Sequence, residues 1–254
     1  MTRIPELVLG PDLSLVLLAA LAAWTAAAAV LALVTWRRYP QHRSALMLTA
    51  GFCLPLFLIE APLDSLIHFN LAVGKPTVFT ASGITVSLWG VLVYSSYIPT
   101  AIYVLLRNLD TDDPAQRARR AWRAFAALVA FVMVTETLAV QSGIWMFYGT
   151  EPWQVLGVPF NEWTFQPAVL MAAAAVVEQF TAHARGRTLL WCPALAPGIW
   201  LAIACVLAWP VILGHGLQLP LTAMNLLGAA SVLLNLAAVD AAIHLGGKFR
   251  RPHR

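Results

Sequence analysis

The sequence predicts an all-α membrane protein: a single domain, residues 1–254, built as a bundle of seven transmembrane helices. Three observations carry that expectation. The chain is 60% hydrophobic and only 11% charged, with a mean hydropathy of +0.74, whereas soluble domains are about 25% charged. Apolar runs of the roughly 20 residues that a bilayer crossing needs recur at 13–35, 45–67, 84–106, 121–144, 163–182, 190–213 and 219–245. Finally, all of the 16 Lys and Arg residues except Arg3 and Lys75 fall after the first, third, fifth and seventh runs. By the positive-inside rule this sets the N-terminus outside and the C-terminus in the cytoplasm of a multi-pass cell-membrane protein.

Arg3, Glu6 and Asp12 precede the first span, which does not fit a secretory leader. The alanine runs 26–29 and 172–175 in spans one and five suit close helix packing. Span two carries Glu60 and Asp64, with His68 just beyond it; steps of four place all three on one helix face. Charges in hydrocarbon cost a few kcal/mol or more unless they face a protein interior, so that face is expected to look inward at a site. Span three brings Trp89, Tyr94 and Tyr97 towards mid-membrane, and span four carries Glu136 past its midpoint. Span five opens on Asn161-Glu162, and span seven holds Asn225 in its outer third. Two long outer loops, 69–83 and 145–162, complete the outer half, the second bearing Trp145 and Tyr148. Prolines 55, 62, 99, 197 and 210 are read as irregular helix breaks, and no internal repeat is evident. Glu178 and Asp240 lie near cytoplasmic ends, where water and basic neighbours can satisfy them.

Four carboxyls (Glu60, Asp64, Glu136 and Glu162) thus gather in the outer half. Carboxyls held together away from water cannot all ionise, so the set offers a proton donor beside an acceptor. His68, Trp89, Tyr94, Tyr97, Trp145, Tyr148, Asn161 and Asn225 are the candidate substrate-binding residues, the aromatics being suited to shielding a cationic intermediate. A lipophilic small molecule is the expected partner, beside membrane lipid. The net charge of +4 sits at helix ends and points to no nucleic acid. Cys53, Cys192 and Cys205 read as apolar packing residues. No metal or cofactor is expected: there is no Gly-rich phosphate loop, no Cys-x-x-Cys and no Gly-x-Ser-x-Gly, and His68 and His215 are not read as a pair at matching depth.

The segments Glu136…Gly143-Ile-Trp-Met-Phe-Tyr-Gly149…Val158-Pro-Phe-Asn-Glu162, Glu60-x-Pro-x-Asp64 with Asn70, and His183-Ala-Arg-Gly-Arg187 resemble the AveC-type spirocyclase family of bacterial membrane proteins, over about residues 50–230. That resemblance implies cofactor-free acid–base formation of a spiroketal from a dihydroxyketone, with dehydration in some members. Glu60, Asp64, Glu136 and Glu162 would be the acids and bases. A weaker resemblance is to seven-helix meroterpenoid and lycopene-type cyclases, which protonate an epoxide or alkene. Pro159-Phe-Asn-Glu162 stands where the latter have Pro-x-Glu-Glu, and Glu60 matches the acid of the second helix. Span seven offers only Asn225 and Asp240 for that family's other acid. The reading from another class is a small proton-coupled transporter or lipid-binding scaffold, in which Glu60, Asp64 and Glu136 would relay protons.

Overall fold

A computed structural model describes residues 5–39, 43, 46, 49, 62–81, 83–183 and 187–248. Helix α1 (Pro11–Arg38) starts on a proline, whose missing N–H costs nothing in a first turn, and places Asp12 at its start and Arg37 and Arg38 at its end, each favourable to the helix dipole. Of the expected second span, Leu46, Thr49 and the turn 62–66 are helical, as is Arg43 just before it; Glu60 lies outside the described residues. The remaining helices are α2 (Leu88–Asn108), α3 (Pro114–Gln141), α4 (Glu162–His183), α5 (Thr188–Gly216) and α6 (Leu221–Lys248). Among the described residues, five stretches, Pro11–Arg38, Leu88–Asn108, Pro114–Gln141, Ala194–Gly216 and Leu221–His244, are long and apolar enough to cross a membrane.

Helix α4 is the centre of the bundle and packs against α2, α3, α5 and α6. Its small residues explain this: Ala168, Ala173 and Ala174 are fully buried, and small side chains let neighbouring backbones close in. Of the prolines read as breaks, Pro99 sits inside α2, and α5 runs through Pro197 and Pro210, so these three are absorbed within continuous helices, as is Pro167 in α4. Pro62 opens the 62–66 turn, and Pro55 lies outside the described residues.

The long loops gather at one end of the bundle and fold as strands, which departs from an all-α reading. β1 (Phe69–Leu71) pairs with β4 (Trp145–Phe147), β2 (Thr77–Ala81) with β3 (Ile84–Ser87), and β5 (Gln154–Val155) with β6 (Val158–Pro159), all antiparallel. Strand β3 takes the place of the expected first turn of span three. Ile84, Thr85 and Val86 are β-branched and find hairpin partners across Gly83, and apolar content alone does not separate strand from helix. The N-terminal segment joins this cap through a bridge between Val8 and Val73, and Asn225 Oδ1 of α6 accepts from the Trp153 N–H at 2.9 Å.

At the opposite end, α3 begins at Pro114, earlier than the apolar run, because Asp113 caps it by accepting from Ala115 N at 2.9 Å. The added turn sends Arg117 inward. Its guanidinium donates to Glu178 Oε1 at 3.0 Å, to the Leu109 carbonyl at 2.8 Å and to the Ile243 carbonyl at 3.2 Å, joining α3, α4 and α6. Glu178 is therefore satisfied by a buried arginine instead of by water, whereas Asp240 is exposed beside His244.

Candidate functional site

A cavity of about 240 Å³ lies among α1, the 62–66 turn, β1, β4, α2, α3, α4 and α5. Three of the four expected carboxyls line it: Asp64, Glu136 and Glu162, only 3%, 4% and 5% exposed. Tyr94, Tyr97 and Trp145 line it as well, with Phe69, Phe131, Phe147, Phe165 and Trp200 supplying apolar walls.

Glu136 is the best-defined acid. Trp145 Nε1 donates to its Oε2 at 2.7 Å, and Gln166 Nε2 donates to its Oε1 at 2.5 Å. Both donors come from other elements, β4 and α4, so the carboxyl ties a loop strand to the central helix across the cavity wall. The sequence reading placed Trp145 at the site but missed Gln166. The available signal was its position one turn beyond Glu162, on the same face of α4. Asn161 Nδ2 donates to Glu162 Oε1 at 3.3 Å. The Tyr97 hydroxyl is buried with no hydrogen-bond partner, and its ring stacks on Phe131 at 5.8 Å. A buried hydroxyl normally finds a partner, so here a cavity ligand is the natural one.

The other candidates do not line this cavity. Trp89 is buried beneath Gly74, where an added Cβ would lie 3.0 Å from its indole. Asn225 holds the β-cap, as described. Asn161 reaches the cavity only through Glu162. His68 and Tyr148 lie in a second cluster, their rings stacked at 4.9 Å.

That second cluster corrects the reading that separated His68 from His215. Helix α5 continues to Gly216, beyond the expected end of span six, and brings the two imidazoles edge to face at 3.8 Å. Glu151, from the loop between β4 and β5, completes a set whose ligand-capable atoms lie within 4.8 Å of one another. Burial pushes the Glu151 carboxyl up to about 9, and its Oε1 is buried with no hydrogen-bond partner. Burial, then the neighbouring His215, lowers His68 to about 4. Burial, then the Asp64 charge, raises the Tyr148 phenol, which puts Tyr148 between cavity and cluster. Glu151 drew no notice in the sequence, being one acid in an aromatic-rich loop.

No protein-family model, curated protein or solved structure matches this chain.

Proposed function

We propose that the chain is an integral membrane enzyme that cyclises a lipophilic intermediate by proton transfer between cavity carboxyls, as the resemblance to spirocyclases implies. The observation that carries this reading is the convergence of Asp64, Glu136 and Glu162 on one aromatic-lined cavity. In the reaction, a first substrate hydroxyl adds to the ketone to give a hemiketal. A carboxylic acid then protonates the hemiketal hydroxyl, which leaves as water to give an oxocarbenium ion. A second hydroxyl then attacks the oxocarbenium ion, and a carboxylate accepts its proton. Aromatic faces around the cavity favour the cation, and the Tyr97 hydroxyl orients a substrate oxygen. The basic ends of the helices lie opposite the β-cap, so the positive-inside rule turns the cap outward in a bacterial plasma membrane.

The test is mass analysis of pathway metabolites incubated with purified protein and no added cofactor. A product lighter than its precursor by one water supports spiroketal formation. A new ring at unchanged mass favours the terpenoid-cyclase chemistry, and no change in any metabolite sinks the enzyme reading.

A further inference from the structure

We propose that His68, His215 and Glu151 form a binding site for one divalent transition-metal ion of the zinc type. The three come from separate stretches of chain: His68 from the turn before β1, Glu151 from the β4–β5 loop, and His215 from the last turn of α5. Their convergence is therefore a property of the fold and not of one flexible segment.

The polar atoms of the cluster are left over by the rest of the protein. His68 Nδ1, Glu151 Oε1 and both ring nitrogens of His215 are buried with no hydrogen-bond partner. More than 90% of buried backbone polar groups, and the large majority of buried side-chain polar atoms, are paired in folded proteins. Four unpaired atoms in one small cluster therefore call for a shared ligand. The side chains of His215 and Glu151 are only 3% and 2% exposed, so bulk water does not satisfy them.

The spacing fits a metal. His215 Nε2 lies 3.5 Å from Glu151 Oε1. Two ligands each about 2.0–2.1 Å from a tetrahedral zinc stand about 3.4 Å apart. The donor set selects among metals too: two imidazoles and one carboxylate suit zinc and its first-row neighbours, whereas calcium and magnesium take oxygen ligands. Three protein ligands leave a fourth position for water or a substrate oxygen.

The surroundings hold the ligands in place. Tyr148 stacks on His68 and donates its backbone N–H to the His68 carbonyl at 2.9 Å. Gly149 follows with φ +88°, and a Cβ there would come within 2.7 Å of His68 Nδ1, so glycine keeps that nitrogen uncovered. Ile67 and Phe69, on either side of His68, both line the carboxyl cavity, so the metal would sit against its wall. This inference stands independently of the proposed cyclisation.

The experiment uses tag-free, full-length protein in detergent, stripped with a chelator and titrated with Zn2+ against a chromophoric competitor. One equivalent per chain is expected, with affinity lowered at least about tenfold in Glu151→Gln and in His215→Ala. His244→Ala, an exposed histidine at the far end of α6, should bind as wild type does. Co2+ loaded into the wild-type chain should give the intense visible bands of a four-coordinate ion, a readout that needs no variant to fold. Weak bands of a six-coordinate aqua ion, or zinc uptake equal in all four proteins, would overturn the site.

Discussion

Glu136→Gln separates catalysis from architecture at a single atom. Trp145 Nε1 and Gln166 Nε2 both donate to the Glu136 carboxylate, at 2.7 Å and 2.5 Å. Glutamine at 136 keeps one acceptor and turns the other into a donor. An indole can only donate, so the new amide oxygen must face Trp145; Gln166 can rotate its own amide and accept from the new NH2. Both hydrogen bonds then survive, and the stability loss should stay within about 1 kcal/mol. Glu136→Leu instead strands both donors, at about 1–3 kcal/mol each. Activity should fall otherwise. Losing a general acid or base lowers turnover by roughly 10²–10⁴, and both variants lose it. Thermal unfolding in detergent, paired with the cyclisation assay, gives the two numbers. If Glu136→Gln turns over at the wild-type rate, Glu136 carries no proton. If it melts as early as Glu136→Leu, the amide-flip argument is wrong.

The Arg117–Glu178 pair, with side chains 3% and 6% exposed, should show strong coupling. Removing either partner alone strands a buried charge at about 3–5 kcal/mol. A double replacement by methionine should cost much less than the sum in a thermal-unfolding cycle; additive losses would contradict this. Glu151 sets a pH dependence for chelator-treated protein. Its folded value, about 9, lies above the ordinary 4.5, so its stabilising contribution is whole below pH 4.5 and is lost as pH climbs towards about 9. Glu151→Gln, which cannot ionise, should match wild type near the acid limit and exceed it increasingly as pH rises; parallel melting curves would refute the assignment. Gly149→Ala should lose about 1–2 kcal/mol from its left-handed backbone alone and bind zinc more weakly by displacing His68, which metal titration checks.

The apolar runs, which need no partner to be recognised, located α1 and α2 through α6 to within a few residues at most ends. The exceptions have local causes. The start of α3 depends on a cap and a proline that hydropathy does not weigh, and Arg117 was consequently counted as a loop cation. The strands were invisible because Phe69 pairs with Phe147, far away in the chain, and neither segment alternates for long enough to announce itself. The carboxyls of the cavity were legible from the rarity of acids in apolar spans, although the bonds of Glu136 to Trp145 and Gln166 were not. Of the His68–Glu151–His215 cluster only His68 was marked by the sequence, through its spacing from Glu60 and Asp64. Its grouping with His215 and Glu151 was not legible, since it depends on the length of α5 and on the path of the β4–β5 loop.

Helix α1 packs against α2 along one side, while Val16, Val30 and Leu31 on its other sides are more than half exposed. Trp24 is 45% exposed and yet also lines the cavity, together with Leu21, so α1 meets both the cavity and the medium around it. For a ligand of this cavity, the concentration that governs occupancy is the one dissolved in the surrounding oil, which partitioning sets. Each additional methylene favours that phase by about 0.8 kcal/mol, close to a fourfold enrichment. Chain length on a part of the substrate that never touches a carboxyl would then tune apparent affinity, and detergent would compete with it as a second solvent.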